Sequence, residues 1–190
     1  MIESLMAAGE SGAESAGLLR SAKAGDRAAF EQVVLGHERR VLLTALRLLG
    51  RWEDAQDAAQ EVFVRLHRYL GRFDDALELA PWLYRMTVNV CRDIAGKRRA
   101  DAELDPNAAD PASGPERSAR SAEERRILEA ALRRLPEKER AALVLRDLEG
   151  LPTREVARIL GSSEATVRSQ VSSARLRILK LTERYRRERT

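Results

Sequence analysis

Cysteine and histidine are scarce in this sequence. It holds one cysteine, Cys91, and two histidines, His37 and His67. A single cysteine excludes an internal disulfide, and a zinc site needs more ligands than these three residues offer at their spacing. We therefore expect no metal and no cofactor. We assign Cys91 a structural role, because free cysteine is among the residue types that are most often buried.

Aromatic residues are also scarce, and long apolar runs are missing. Aromatics make up 4% of the residues and charged residues 34%, which is typical of charged amphipathic helices rather than of a β-rich core. No run of about 18 apolar residues occurs, and acids stand near the N-terminus where a signal peptide carries bases. We expect an all-α, cytoplasmic protein without membrane insertion.

The charges are numerous and unevenly distributed. The chain has 34 basic and 30 acidic residues, for a formal net charge of +4. Acids cluster between Glu53 and Glu61 and again between Asp101 and Glu116, whereas bases cluster at 97–99 and 168–189. This asymmetry predicts basic surfaces for nucleic acid and acidic surfaces for another partner.

Composition and periodicity divide the chain into two small helical domains, which suits its length of 190 residues. Residues 1–24 are predicted to be a flexible leader. Apolar residues at helical spacing then predict helices from Gly25 to Gly50, either one helix or two joined near Gly36, from Trp52 to Leu70, and from Pro81 to Arg99. Residues 100–121 hold three prolines and few large apolar side chains, which predicts a flexible linker before a second domain at 122–190.

The sharpest motif is a predicted helix-turn-helix from Thr153 to about Leu181. Apolar residues such as Val156 form the inner face of its first helix, and Gly161 can adopt the positive φ of the turn. Ser163 suits the N-cap of the second helix, whose inner face includes Val167. A helical hairpin with a solvated charged face is the alternative. The outer positions of the second helix are the candidates to enter a major groove of duplex DNA: Thr166, Arg168, Ser169, Gln170, Ser172, Ser173 and Arg175.

A second polar face is predicted on the helix that starts at Pro81. Arg85, Asn89, Arg92 and Arg99 fall at steps of four, three and seven residues, which places them on one face. Beside them stand the aromatic residues Trp82 and Tyr84. Cations for phosphates and rings for stacking are typical of a site for single-stranded or melted DNA. The alternative is that both rings lie in the core and the arginines are only solvated.

Three stretches in this order resemble the extracytoplasmic-function (ECF) group of bacterial sigma factors. They are DAAQEVFVRLHR at 57–68, PWLYRMTVNVCRDIAGKRR at 81–99, and LPEKERAALVLRDLEGLPTREVARILG at 135–161. The resemblance covers about Gly25 to Tyr185. It departs from the family pattern at Ser162, Ala165, Gln170 and Ser173.

The resemblance implies a promoter-specificity subunit without catalysis of its own. Residues 25–99 would be region 2, which binds core RNA polymerase and melts the -10 element, and residues 122–190 would be region 4, which binds the -35 element as duplex. An anti-sigma factor would be a further partner. The polymerase-binding candidates are Asp57, Gln60, Glu61, Arg65 and Arg68. The -10 candidates are Phe73, Trp82, Arg85, Asn89, Arg92 and Arg99.

Two other functions are compatible with parts of the pattern. A stand-alone helix-turn-helix regulator would use its N-terminal half for dimerisation or effector binding, and it would need no core polymerase to bind DNA. A helical hydrolase could use Asp57 and Glu61 as metal ligands, although both also fit an ordinary solvated helix face.

Overall fold

The computed structural model of the chain describes residues 16–75, 77–104 and 127–187. All regular structure within these ranges is helical, which confirms the predicted all-α fold. A 3₁₀ turn, Leu70–Arg72, follows the third helix, and a π-helical segment, Val144–Leu148, follows the sixth. The helices are α1 (16–23), α2 (Arg27–Leu49), α3 (Trp52–Tyr69), α4 (Leu79–Leu104), α5 (127–133), α6 (Glu137–Leu143), α7 (Thr153–Leu160) and α8 (Glu164–Arg187).

Helices α2, α3 and α4 pack against one another and form the N-terminal bundle. The Asp26 carboxylate caps α2 by accepting the backbone N–H groups of Ala28 and Ala29 at 2.9 and 3.2 Å. Gly50, with φ of 77°, ends it. The helix is continuous through Gly36, so the one-helix alternative is the correct one.

Two boundaries differ from the sequence expectation. Residues 16–23, which were expected in the leader, form α1 and bury Leu19 and Ala22. Helix α4 begins at Leu79, with Pro81 in its first turn where no N–H partner is needed, and it continues to Leu104 into the expected linker. Residues 1–15 and 105–126, the rest of the leader and of the linker, lie outside the described residues.

Helices α5 to α8 form the C-terminal bundle, in which α6 and α7 both pack against α8. Its centre contains Leu145, Val156 and Val167, each with 0% exposed surface. The two bundles also contact each other, because α4 packs on α7 and α2 touches α6 and the π-helical segment. Over the described ranges, no helix is both long and apolar enough to cross a membrane.

Candidate nucleic-acid interfaces

Helices α7 and α8 form the predicted helix-turn-helix. Gly161 ends α7 with φ of 62° and ψ of 43°, the left-handed conformation that the turn requires. The Ser163 hydroxyl accepts the backbone N–H of Thr166 at 3.1 Å and so caps α8. Both the turn and the cap were predicted from the sequence, and both are confirmed.

The buried and outer faces of α8 are separated as the sequence indicates. Val167, Val171 and Ala174 are buried against α6 and α7, which holds the helix at a fixed angle. The outer side chains remain available. Among the -35 candidates, Gln170 and Ser173 are half-buried, and those exposed are Thr166, Arg168, Ser169, Ser172 and Arg175.

Two arginines on this outer face have different surroundings. Arg168 is 64% exposed and lies 3.5 Å from Glu164, one turn earlier in α8. Arg175 instead donates from Nε and Nη2 to both carboxylate oxygens of Asp147, at 2.8 and 2.7 Å. These hydrogen bonds raise the pKa of Arg175 and lower the pKa of Asp147. Arg168 is therefore the freer cation on the outer face.

The -10 candidates on α4 lie on one exposed face, as their spacing predicts. Arg85, Asn89, Arg92 and Arg99 are all exposed there. The arrangement supplies three guanidinium groups and one amide along a single side of the helix. Such a face can bind a phosphate backbone and an unpaired base at the same time.

The aromatic residues near this face are buried or half-buried. Tyr84 is 5% exposed and donates its hydroxyl to Glu149 at 2.8 Å, so the core alternative is correct for this ring. Burial first, and then this hydrogen bond, raise the pKa of Tyr84. Phe73 is also 5% exposed, and its ring centroid lies 5.0 Å from that of Trp82. Trp82 itself is half-buried.

The polymerase-binding candidates occupy the outer side of α3. Asp57, Gln60 and Arg68 are exposed. Arg65 donates to Glu61 at 2.7 Å and to Asp93 of α4 at 3.2 Å, and the bond to Glu61 is the main reason that the pKa of Arg65 is raised. The exposed residues can therefore contact a partner, while Glu61 and Arg65 fix this face of α3 against α4.

Two carboxylates that connect the bundles were not among the residues singled out from the sequence. Glu137 of α6 lies 2.8 Å from Nη2 of Arg99 and 3.7 Å from Nε of Arg92. Glu149, which follows the π-helical segment, accepts hydrogen bonds from α2 and α4. No local pattern marks either residue, because their partners are distant in the sequence.

Cys91, a residue of α4, is buried in the hydrophobic core. It is 4% exposed, and burial raises the pKa of its thiol to about 12. A thiol held in the protonated form is neither a good nucleophile nor a metal ligand. The structural role expected for Cys91 is confirmed.

Two family models match the chain. The model described as sigma-70 region 2 matches residues 33–101, and the model described as sigma-70, region 4 matches residues 125–178. The first match contains α3 and most of α4, and the second contains α7 and α8 as far as Ile178.

Individual relatives agree with these matches. The chain is 38% identical over 168 residues to the ECF RNA polymerase sigma factor SigM of Mycobacterium tuberculosis, and the match covers 88% of this chain and 84% of SigM. It also resembles the solved structure of CnrH in complex with the cytosolic domain of CnrY, with a TM-score of 0.65, 26% identity, and coverage of 89% and 97%. The sigma factor RpoE from Bartonella quintana, solved with the anti-sigma factor NepR, shares the fold, with a TM-score of 0.73, 21% identity, and coverage of 81% and 96%.

Proposed function

This chain belongs to the ECF family of RNA polymerase sigma factors, and we propose on that basis that it binds core RNA polymerase and directs it to specific promoters. Members of this family are transcription initiation factors rather than enzymes. We therefore assign no residue a catalytic role. The division of work follows the two matched regions, with duplex DNA bound by the C-terminal bundle and melted DNA by the N-terminal bundle.

The observation that carries the proposal is the polar outer face of α8 within a well-formed helix-turn-helix. An α-helix fits the major groove, where arginine can pair with guanine and glutamine with adenine. Arg168 is the first candidate for such a contact because it is exposed and only loosely paired. Ser169 and Ser172, both exposed beside it, can bond to bases or phosphates. We assign this face to the -35 element.

The exposed face of α4 is assigned to the melted -10 element. Arg85, Arg92 and Arg99 would neutralise phosphates, and the amide of Asn89 would bond to a base edge. Trp82, half-buried at the start of the helix, offers the ring against which an extruded base could stack. Phe73 packs beneath Trp82 and acts by positioning that ring.

The outer side of α3 is assigned to core polymerase. Asp57, Gln60 and Arg68 are exposed side chains of both charge signs, which suits a protein partner better than a nucleic acid. Beside these residues, Arg65 donates hydrogen bonds to Glu61 of α3 and to Asp93 of α4, which hold α3 against α4. The contact would fix region 2 on the enzyme.

An anti-sigma factor is proposed as the regulatory partner. RpoE was solved with the anti-sigma factor NepR, and CnrH with the cytosolic domain of CnrY. The likeness to CnrH, whose partner domain is cytosolic, supports the same compartment for this chain. We therefore place the protein in the cytoplasm.

Binding to core polymerase tests the proposal against a stand-alone regulator. In size-exclusion chromatography, the protein is expected to co-elute with bacterial core RNA polymerase. Arg68→Glu should weaken this binding, whereas Arg39→Glu, an equal charge reversal at an exposed position of α2, should not. A protein that ignores core polymerase yet binds particular DNA sequences alone would support the regulator instead.

A further inference from the structure

Lys23, the last residue of α1, contacts the chain segment that leads into α4. Its Nζ donates hydrogen bonds to the carbonyl oxygen of Phe73 at 2.7 Å and to Oδ1 of Asp75 at 2.8 Å. The side chain of Lys23 is 20% exposed. Hydrogen bonds from a charged donor at such a half-buried position are stronger than those between neutral groups in water. Helix α1 is therefore bound to a segment that lies 50 positions later in the sequence.

The position of Lys23 is fixed on its own side of this contact. Leu19 and Ala22 of α1 are buried in the hydrophobic core. Gly25, with φ of 96°, reverses the chain after the helix, and its N–H donates to the carbonyl oxygen of Ala22 at 3.1 Å. Asp26 then caps α2. The ammonium group of Lys23 thus extends from an anchored turn.

The segment on the other side of the contact supports the aromatic ring proposed for melted DNA. The N–H of Phe73 donates to the carbonyl oxygen of Leu70 at 3.0 Å, so Leu70 and Lys23 hold the two backbone polar groups of this residue. The Phe73 ring is 5% exposed, and its centroid lies 5.0 Å from that of Trp82. Trp82 is the ring against which an extruded base would stack. Lys23 is therefore connected to that ring through a single residue, Phe73.

Asp75 extends the contact beyond Phe73. Its side chain is 48% exposed, and the backbone around it is held by a hydrogen bond of 3.0 Å from the N–H of Leu77 to the carbonyl oxygen of Asp74. Helix α4 begins at Leu79. Lys23 therefore fixes the beginning of the segment that connects the 3₁₀ turn to α4.

We propose that Lys23 is a positioning residue for the binding of melted DNA. Its ammonium group fixes the backbone of Phe73, and the Phe73 ring in turn fixes Trp82 in the orientation that accepts an extruded base. Because a base must be unstacked before it can bind, a ring that is already oriented makes binding more favourable. The inference rests on the function proposed above. Lys23 lies before the region 2 match, which begins at residue 33, so the family match does not itself assign α1 this role.

Two other roles for Lys23 predict different results. As an ordinary surface ion pair with Asp75, it would contribute little and would not affect DNA binding. As a direct phosphate contact, it would add to the salt dependence of binding, and removing its charge would reduce the salt slope by about 0.7. A positioning residue changes the affinity and leaves the salt slope unchanged, because its own charge is already paired within the protein.

The test uses the full-length protein with substitutions at both ends of the contact. Lys23→Met removes the charge and keeps a long side chain, Lys23→Arg keeps the charge, and Asp75→Asn weakens one acceptor. Arg20→Met is the matched control, because Arg20 is an exposed cation of the same helix. Circular dichroism checks that each variant keeps its helices.

Hydrogen exchange followed by mass spectrometry measures how firmly the segment is held in the free protein. In Lys23→Met, the peptides that cover Phe73 and Leu77 should exchange their amide hydrogens faster than in the wild type, and in Asp75→Asn the increase should be smaller. Lys23→Arg and Arg20→Met should stay close to wild type. Wild-type exchange in Lys23→Met would overturn the proposal, and this measurement needs neither polymerase nor DNA.

Fluorescence anisotropy then measures DNA binding by the holoenzyme formed with bacterial core RNA polymerase. The probe is a labelled single-stranded oligonucleotide with the -10 sequence of one promoter mapped by transcription in vitro, used intact and with an abasic position at each -10 base in turn. We expect Lys23→Met to bind the intact probe roughly three- to tenfold more weakly than the wild type at an unchanged salt slope, and Lys23→Arg to restore the affinity. The abasic position that weakens wild-type binding most should weaken the binding of Lys23→Met less.

Equal affinity of Lys23→Met and Arg20→Met for the intact probe would overturn the proposal. A reduced salt slope in Lys23→Met would also overturn it and would make Lys23 a direct phosphate contact. Failure of the sigma-factor function is a different result, in which the wild type itself does not bind core polymerase, and it would remove the proposed function and this inference together.

Discussion

Arg175 donates two hydrogen bonds to Asp147, from Nε to Oδ2 at 2.8 Å and from Nη2 to Oδ1 at 2.7 Å. The pair connects α8, the proposed recognition helix, to the π-helical segment that follows α6. Bidentate geometry fixes the plane of the guanidinium group. Arg175 therefore orients α8 against the π-helical segment, in addition to lying on the face proposed for the -35 element.

Asp147→Asn is expected to lower the melting temperature at neutral pH. The hydrogen bonds from Arg175 hold the pKa of Asp147 below its ordinary value. The stabilisation is therefore present above the unfolded pKa of about 4, and it is lost as the pH falls through the lower folded pKa. Thermal melts followed by circular dichroism should show a difference from wild type that shrinks between about pH 7 and about pH 3.

The control for this substitution is Asp57→Asn at an exposed position of α3. It changes the same charge without removing an ion pair seen in the structure. It should leave the melting temperature close to wild type at both pH values. A pH-independent loss of stability in Asp147→Asn would mean that the ion pair is not its cause.

Arg168→Ala is expected to weaken binding to a matching promoter duplex by roughly 1–3 kcal/mol and to reduce the salt dependence of binding. The reason is that its exposed guanidinium group is available for a base or a phosphate. Lys180→Ala removes an equal charge from an exposed position further along α8 and should have a smaller effect. Fluorescence anisotropy across a salt series measures the affinity and the salt dependence of each variant. Equal effects of the two variants would mean that the recognition face is misassigned.

Gly161→Ala is expected to destabilise the protein by about 1–2 kcal/mol, because alanine is strained in the left-handed conformation. No neighbouring atom lies within 4 Å of the added Cβ, so the cost arises from the backbone alone. Gly36→Ala is the control, since Gly36 lies inside α2 and an added Cβ there also meets nothing within 4 Å. It should stabilise the protein by about 0.5–1 kcal/mol. Unfolding in urea measures the free energy of unfolding of both variants. If both substitutions changed it in the same direction, the left-handed backbone at Gly161 would not be the cause.

Arg85→Ala is expected to weaken the binding of melted -10 DNA by the assembled holoenzyme. Loss of one phosphate contact to a single strand should reduce the salt slope of binding by about 0.7. Lys97→Ala is the control, because Lys97 is an exposed cation outside the series Arg85, Asn89, Arg92. Anisotropy with a labelled single-stranded -10 probe at several salt concentrations gives the slopes. An unchanged slope for Arg85→Ala would remove this residue from the strand-binding face.

The helix-turn-helix could be predicted from sequence because its signals are local. Gly161 is needed where the backbone takes a positive φ, and Ser163 caps the helix three residues before Thr166. Val167 and Val171 repeat at helical spacing and are buried as expected. Each of these features depends on residues within a few positions, so the pattern alone contains the information.

The contacts between the bundles could not be predicted in the same way. Glu149 meets Tyr84, 65 positions earlier, and Thr44, 105 positions earlier. Whether a helical aromatic such as Tyr84 lies in a core or on a DNA-binding face depends on what packs over it. Only the tertiary arrangement decides this placement. It also decides the ion pair between Glu137 and Arg99, which are distant in the sequence.

Transcription in vitro distinguishes a sigma factor from a stand-alone DNA-binding regulator. Purified bacterial core RNA polymerase is incubated with pooled genomic promoter fragments, with and without this protein, and the 5′ ends of the transcripts are mapped. For a sigma factor, we expect discrete start sites that appear only with the protein and share upstream -10 and -35 elements. Transcripts that are identical with and without the protein, together with sequence-specific DNA binding by the protein alone, would instead show a stand-alone regulator.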